Sequence, residues 1–235
     1  MTLLVAIEGA DGAGKHTASN GVRTALSDRG ISACVISFPR YRDTVGGFAL
    51  GEFLSGRLPV RATPQAAAVL YALDRMESVQ VVKTAAETHD VVIFDRYIAS
   101  NMVYQASKVP SDLSHDLMSW IWQLEVEMFD VPPPDVSIYL DTSLEHARRL
   151  MHLKERRSYT ERTLDEHEAD LELQERVRLN YAAVAADGHF GDWHVVRSEA
   201  AEGLRPPALI VEEIVGLLMP VLRDAGQGLG RRLIA

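Results

Sequence analysis

The sequence has a single cysteine, Cys34, which excludes a disulfide bond within the chain. It also lacks an N-terminal charged segment followed by an apolar one, so we expect a protein of the reducing cytoplasm. No apolar run is long enough to cross a bilayer, because the longest stretch, residues 208–222, is interrupted by Glu212, Glu213 and Pro220. We therefore expect no membrane partner and read this stretch as a packed C-terminal helix.

Basic charge is also scarce. The chain has 24 Lys and Arg against 33 Asp and Glu, which gives a formal net charge of −9. Nucleic-acid partners normally require a basic face, so we expect none, and any anionic ligand has to be held by a local cluster of Arg and Lys. The 47% hydrophobic and 24% charged content is typical of a globular protein. Without repeats or a low-complexity linker, residues 1–235 are predicted to form a single domain.

Short apolar runs alternate with helical patterns along the chain. Continuous apolar runs of this length indicate buried parallel strands, and the alternation predicts an α/β fold with a doubly wound, five-stranded parallel sheet flanked by helices. The predicted strands are residues 3–7, 33–38, 91–94, 136–140 and 193–196, and the predicted helices are residues 15–29, 64–88, 111–129, 143–157 and 164–186.

A glycine-rich loop follows the first predicted strand and opens the first helix. Gly9, Gly14 and Lys15 fit the phosphate-binding pattern of glycine, four residues, then Gly-Lys. In such a loop the backbone N–H groups point at phosphate oxygens, and the lysine reaches the β- and γ-phosphates. An incidental glycine-rich turn is the alternative. The residues predicted to contact ATP are Gly9, Gly12, Ala13, Gly14, Lys15, His16 and Thr17.

The loop departs from the pattern at one position, because His16 stands where Ser or Thr normally supplies a hydroxyl ligand to Mg²⁺. Imidazole is a poor ligand for so hard a cation. We therefore predict that the metal relies on the phosphates and on three nearby carboxylates, those of Glu8, Asp11 and Asp95. Asp95 ends the third predicted strand, so it could instead cap the next helix.

Residues for a second substrate follow the second and third predicted strands. Each group combines an aromatic ring with a hydrogen-bonding side chain, which suits a planar base and its phosphate. In the last two groups the spacing of four or three residues also places both side chains on one face of a helix. Core packing or surface ion pairs are the alternatives for each group taken alone. The groups are Phe38, Pro39, Arg40 and Tyr41, then Tyr71 and Arg75, then Asn101 and Tyr104.

Four motifs together resemble those of bacterial thymidylate kinases, in the order of that family, over roughly residues 3–196. They are residues 8–15, 38–40, 73–75, and 95–97 with Ser100, Asn101 and Tyr104. The resemblance implies a single-domain P-loop kinase fold and transfer of the γ-phosphoryl group of ATP to dTMP, giving dTDP and ADP. It further implies Mg²⁺ as cofactor and a homodimer.

The resemblance also implies a role for individual residues. Asp11 and Arg96 would engage the acceptor phosphate, with Arg40 positioning it, and Asp95 and Lys15 would join them in catalysis. In the base pocket Tyr71 would stack on thymine, Arg75 and Asn101 would bind the base edge, Tyr104 would lie under the deoxyribose, and Pro39, next to Phe38, would border the thymine methyl group.

The charged segment 154–162 lacks an apolar stripe and reads from composition as a solvated loop or a mobile flap. The resemblance favours a flap of about residues 154–164, because related enzymes without a basic residue in the loop supply an arginine from there. The candidates are Arg156, Arg157 and Arg162, with Arg149 for the ATP site. Next along the chain, Asp165 and His167 would contact the nucleotide, although the acids of residues 165–168 could instead favour a helix N-terminus.

Two other functions stay open on the sequence. One is a kinase for another pyrimidine nucleoside monophosphate. The other is a regulatory module that binds ATP without transferring phosphate, for which the missing hydroxyl at His16 is the motive.

Overall fold

The computed structural model describes residues 2–57, 62–155, 171–188, 190–201 and 203–232, and for residues 151–155 and 225–232 it describes the backbone alone. The predicted flap arginines Arg156, Arg157 and Arg162 lie outside the described residues. So do Asp165 and His167, with the rest of the acidic segment around them.

A sheet of five parallel strands organises the chain, as the apolar runs predict. The strands are β1 (Leu3–Glu8), β2 (Ala33–Ser37), β3 (Val91–Asp95), β4 (Val136–Asp141) and β5 (Trp193–Arg197). Their order across the sheet is β2-β3-β1-β4-β5. The chain therefore leaves β1 for one edge and returns to its other side at β4, which brings the carboxyl ends of β2, β3 and β1 side by side.

Helices cover both faces of the sheet. They are α1 (Lys15–Ser27), α2 (Val45–Leu54), α3 (Pro64–Thr88), α4 (Ile98–Ala106), α5 (Ser111–Trp122), α6 (Leu144–Glu155), α7 (Leu171–Asp187) and α8 (Pro207–Arg232). A π-helical turn, Gln123–Met128, continues α5, and the two short strands β6 (Glu199–Ala200) and β7 (Gly203–Leu204) form an antiparallel pair. Within these described ranges no helix is long and apolar enough to cross a membrane.

Alternate residues of the strands supply two separate cores. On one face, Val5 of β1 and Ile93 of β3 lie in register and join α1 and α8 through side chains such as Leu26 and Ile214. On the other face, Ala6 and Phe94 join a core formed with α4, α5 and α7. The alternation follows from the two-residue period of a strand. Both faces of the central strands β1, β3 and β4 are buried, which explains why these strands appear in the sequence as nearly unbroken apolar runs.

Helix α2 lies unusually close to α3 and to the turn that follows β2, because two glycines stand at its start. A Cβ atom on Gly46 would lie 2.4 Å from the backbone nitrogen of Asp74, and one on Gly47 would lie 2.2 Å from the carbonyl oxygen of Arg40. Both distances are far below van der Waals contact. The glycines thus allow α2 to support the chain around Arg40.

Candidate active site

The phosphate-binding loop connects β1 to α1 in a conformation that glycine makes possible. Gly14 adopts φ +88° at the position before the first helical residue, Lys15. Gly9 adopts φ +151°, and a Cβ atom there would lie 2.9 Å from the carbonyl oxygen of Leu140. The loop therefore wraps the N-terminus of α1, where free backbone N–H groups and the helix dipole attract anions.

Lys15 is buried within this loop. Its Nζ donates hydrogen bonds to the carbonyl oxygens of Gly9, at 2.8 Å, and Ala10, at 2.7 Å. Burial is the largest influence on this ammonium group and the nearby charge of Arg96 the second, and together they lower the pKa of Lys15 to about 7. An anionic ligand would reverse this effect, because it would stabilise the charged form.

Asp11 and Arg96 form an ion pair beside Lys15. The Nη2 atom of Arg96 donates to Asp11 Oδ1, and the Nε2 atom of Gln174, on α7, donates to Asp11 Oδ2 at 3.0 Å. Burial alone would raise the pKa of Asp11, but the charges of Arg96 and Lys15 outweigh it and hold that pKa well below its ordinary value. Asp11 is therefore ionised and held in place by partners from two other elements.

Backbone geometry at Arg96 supports the same pair. Arg96 follows β3 and adopts φ +65°, which is rare for a residue other than glycine. Its guanidinium carbon lies 5.6 Å from the centre of the Tyr104 ring. Strained conformations of this kind are concentrated at functional sites. The strain here directs a cationic side chain toward the phosphate-binding loop.

Arg40 is held near the end of β2 by residues of α3. Asp74 accepts a hydrogen bond from the backbone N–H of Arg40 at 3.0 Å, and the Nη1 atom of Arg40 donates to Ser78 Oγ at 3.2 Å. Its Nη2 atom also lies 3.2 Å from the exposed Asp43. The guanidinium group is partly exposed, so it can exchange these contacts for a phosphate.

A second charged pair is buried and joins α3 to the π-helical turn that follows α5. Arg75 donates to both carboxylate oxygens of Glu125 through Nε and Nη2, the latter at 2.7 Å. The amide of Asn101, on α4, donates to the same carboxylate at 2.8 Å. The sequence predicts Arg75 and Asn101 as site residues, and the structure brings them together. Glu125 is absent from that prediction.

The predicted aromatic residues lie in the same region. Phe38 is buried, with its ring centre 5.7 Å from that of Tyr97 and 5.9 Å from the guanidinium carbon of Arg75. Tyr71 and Pro39 are half-buried, and Tyr104 is buried. Rings and a forked hydrogen-bond donor therefore occur together, as recognition of a planar base requires.

Of the three predicted metal carboxylates, Asp95 has the freest geometry. Asp95 ends β3 beside the loop, and its Oδ2 atom lies 3.4 Å from Nδ1 of the exposed His16. Asp11 is engaged by Arg96 and Gln174, as described above. Thr17, the hydroxyl residue next to His16, is exposed on α1.

Both carboxylate oxygens of Glu8 accept hydrogen bonds from the protein, so Glu8 is not a carboxylate that is free to bind a metal. Its buried carboxylate accepts hydrogen bonds from the backbone N–H groups of Tyr97 and Ser100, at 2.9 and 3.2 Å, and from the hydroxyls of Ser100 and Tyr181, at 2.6 and 2.9 Å. A cation would have to displace at least one of these donors. This geometry is at odds with the prediction that Glu8 binds the metal, and it instead makes Glu8 a link between β1, α4 and α7.

These residues could supply only a few of the ligands that Mg²⁺ requires. In the ranges that the structure describes, no three His, Cys, Asp or Glu side chains are grouped so that they could hold a metal ion. Mg²⁺ bound with nucleotides usually takes most of its ligands from phosphates and water and only one or two from carboxylates. Asp95, at the end of its strand beside the loop, fits that requirement.

Two residues that contact predicted site residues, Gln174 and Glu125, are not predicted from the sequence. Both lie in helical segments among other polar residues, and only their neighbours in the fold distinguish them. Arg149 is exposed on α6. Its predicted contact with ATP stays a prediction.

Comparisons with known proteins agree on one family. A family model described as thymidylate kinase matches residues 7–201. A thymidylate kinase from Mycobacterium tuberculosis is 35% identical over 211 residues, covering 87% of this chain and 98% of the relative. A probable thymidylate kinase from Pyrococcus abyssi is 30% identical over 220 residues, 91% and 98% of the two chains. A thymidylate kinase from Nitratidesulfovibrio vulgaris is 29% identical over 246 residues, 96% of each.

Proposed function

The chain belongs to the thymidylate kinase family and phosphorylates dTMP to dTDP, and we propose that the site described above performs this reaction with ATP as donor and Mg²⁺ as cofactor. The observation that carries the residue assignments is the ion pair of Asp11 and Arg96 beside buried Lys15. These groups place the means to bind two phosphates at one edge of the sheet. Neither alternative function finds support in the relatives.

The ATP phosphates bind at the N-terminus of α1. Loop N–H groups take the phosphate oxygens, and Lys15 leaves the carbonyls of Gly9 and Ala10 to contact the β- and γ-phosphates. Mg²⁺, held by Asp95 and the phosphates, would neutralise the charge that develops between the two substrates. Asp11, a residue of the same loop, is the second carboxylate that we assign to the metal.

The acceptor phosphate binds at Arg96 and Arg40. Asp11 orients Arg96 toward it, and Asp74 and Ser78 hold Arg40 at the end of β2. The 5′-phosphate of dTMP is already ionised, so the reaction needs no general base. The residues instead align two anions for in-line transfer and neutralise their charge.

The base of dTMP binds where Arg75 and Asn101 meet. Tyr71 stacks on the ring, Tyr104 lies under the deoxyribose, and Phe38 with Pro39 forms the wall of the pocket. The half-buried state of Tyr71 and the buried state of Tyr104 support these assignments. A flap arginine, Arg157 or Arg162, and the residues Asp165 and His167 complete the site in this proposal.

We also propose that two copies of the chain form a homodimer. Apolar side chains are exposed on two adjacent helices, Val45 and Phe48 on α2 and Val69 and Met76 on α3. Val69 and Met76 are seven residues apart, so they lie on one face of α3. A second copy would cover them.

Replacement of Lys15 tests the assignment of the catalytic loop. We expect Lys15→Ala to lower dTMP-dependent ADP formation by at least about a thousandfold, because no other described group takes its place at the phosphates. Turnover is measured with dTMP, dUMP, dCMP and dGMP as acceptors, and dTMP should give the highest kcat/KM.

The matched control is Lys83→Ala, which removes an exposed lysine of α3 away from the loop. It should leave turnover unchanged. Near-normal turnover of the Lys15 variant, or a wild-type protein that binds ATP without any monophosphate-dependent ADP formation, would contradict the proposal.

A further inference from the structure

Glu125 lies behind the two residues that we assign to the base edge. It belongs to the π-helical turn Gln123–Met128, is fully buried, and touches both Arg75 and Asn101. π-helical turns inside longer helices often occur at functional sites. A fully buried carboxylate at this position therefore needs an explanation other than packing.

The carboxylate of Glu125 fixes the orientation of the Asn101 amide. Its Nδ2 donates to Glu125 Oε1 at 2.8 Å and to the carbonyl oxygen of Ala68 at 3.0 Å. Both partners are acceptors only, so a flipped amide would set its own oxygen against a carboxylate and a carbonyl. Glu125 and Ala68 thus exclude the flipped state.

The fixed amide leaves its oxygen free. Asn101 is 1% exposed, and across the described parts of the chain no donor reaches its Oδ1 atom. A buried acceptor without a donor is unfavourable in a folded protein. A ligand that offers an N–H group at this point would satisfy it.

Arg75 is fixed by the same carboxylate. Glu125 takes donors from Nε and Nη2, and the Phe38 ring lies 5.9 Å from the guanidinium carbon. Burial would lower the pKa of Arg75, but the charge and hydrogen bonds of Glu125 outweigh it and raise that pKa above its usual value. A guanidinium has five N–H donors, and the bidentate contact uses two of them.

We propose that Glu125 is a positioning residue that determines which pyrimidine the site accepts. Thymine presents an N3–H donor beside the O4 acceptor, which matches an acceptor on Asn101 and donors on Arg75. Cytosine presents an N3 acceptor beside an amino donor, so both contacts are mismatched. Glu125 sets this polarity by holding the Asn101 oxygen and the Arg75 donors toward the base. The inference rests on the proposed base-binding roles of Arg75 and Asn101.

Glu125→Gln tests the proposal while preserving side-chain shape. One carboxylate oxygen becomes an NH₂ group, which faces an N–H donor of Arg75 at either position and, at the Oε1 position, can also donate to Asn101 Oδ1. The variant therefore no longer fixes the Arg75 donors and the Asn101 amide together, and only the Ala68 carbonyl still opposes a flipped amide. We expect kcat/KM for dTMP to fall about 10- to 100-fold, mainly through KM, and the preference for dTMP over dCMP to fall at least about tenfold.

A modified substrate isolates the Asn101 contact. The probe is 3-methylthymidine 5′-monophosphate, which lacks the N3–H donor. Wild-type protein should prefer dTMP over this probe by at least about a hundredfold, and Glu125→Gln should reduce that preference at least about tenfold. A purely structural role for Glu125 would lower activity on both substrates in the same proportion and leave the ratio unchanged.

The matched control is Glu127→Gln, an exposed acid on the same π-helical turn. Its kinetics and substrate ratios should equal those of the wild type. A second variant, Glu125→Asp, keeps the charge near Arg75 but shortens the side chain, so the substrate preference should fall by less than in Glu125→Gln. Thermal unfolding and ATP binding show whether the Gln variant folds. If it does not fold, the Asp variant serves as the test of the proposal.

Unchanged preference ratios in the folded Glu125 variants would overturn the inference. Failure of the proposed function has a different signature, because the wild-type protein itself would then show no dTMP-dependent ADP formation. The two failures are therefore distinguishable in one set of assays.

Discussion

At the scale of single residues, the pKa of Lys15 couples ATP binding to the uptake of a proton. Its pKa in the ligand-free fold is about 7, against 10.5 for an unperturbed lysine. Between these values the unfolded chain holds more protons than the folded one. Lys15 therefore makes the ligand-free protein more stable as the pH rises through this range. Bound phosphates would raise the pKa of Lys15 again, because they stabilise the charged ammonium group.

We expect ATP binding to be accompanied by uptake of about one proton at pH 8. Titration calorimetry in two buffers of different ionisation enthalpy measures it. Lys15→Met, which removes the titrating group, should abolish most of the uptake. Equal proton uptake by the variant and the wild type would show that another group is responsible.

Individual site residues differ in how far the sequence reveals them. Gly9, Gly14 and Lys15 follow from a local pattern, because the chemistry of phosphate binding lies within one loop. Glu125 does not, since its meaning depends on Arg75, 50 residues away along the chain. Gln174 is a similar case, 163 residues from Asp11. Single polar residues in helical patterns give no sign of such partners.

At the scale of elements, helix α2 and the turn at Arg40 depend on Gly47. A Cβ atom at this position would lie 2.2 Å from the Arg40 carbonyl oxygen, so Gly47→Ala must displace the turn or the helix. We expect a loss of about 1–3 kcal/mol in the free energy of unfolding. We also expect a several-fold rise in KM for dTMP with little change in KM for ATP. Denaturant unfolding and steady-state kinetics measure these effects.

Gly51→Ala is the matched control on the same helix. A Cβ atom there would meet only a side-chain carbon of Tyr41, at the ordinary contact distance of 3.5 Å. This variant should be neutral, or more stable by about 0.5–1 kcal/mol, because alanine favours a helix over glycine. If both variants behaved alike, the close approach at Gly47 would have no bearing on the site.

The elements themselves are predictable to different extents. The five strands are confirmed. Each is a short apolar run, and the three central strands β1, β3 and β4 are buried on both faces. The prediction omits α2, in which Gly46, Gly47 and Gly51 lower the helical propensity. It also omits α4, where every residue is buried and no polar face marks a helical period. The π-helical turn has no local pattern that distinguishes it from the end of α5.

At the scale of the whole molecule, the strand order explains why distant motifs form one site. With β1 between β3 and β4, the loop after β1 lies next to the ends of β3 and β4, and the turn after β2 lies one strand further along. Motifs separated by tens of residues therefore meet at one edge of the sheet. Helices α2 and α3 also carry exposed apolar side chains.

We expect sedimentation of the wild-type protein to give a mass that is twice the mass of one chain. Met76→Lys should shift the population to monomers, because it introduces a charge on the exposed apolar face of α3. Sedimentation velocity over a range of concentrations provides the measurement. Leu113→Lys, at an exposed apolar position on α5, should leave the assembly intact. A wild-type protein that stays monomeric at all concentrations would contradict the proposed homodimer.

The hydrogen bonds of Lys15 have a consequence for the kinetics of nucleotide capture. Its Nζ bonds to the carbonyl oxygens of Gly9 and Ala10, and the N–H of Ala13 bonds to the carbonyl oxygen of Ala10 at 3.2 Å. The loop is thus shaped before ATP arrives, and little conformational entropy remains to be lost on association. Capture becomes an exchange of partners, in which phosphate oxygens replace carbonyl oxygens on one ammonium group. We therefore expect the encounter between the two molecules, and not the ordering of the loop, to limit the association rate.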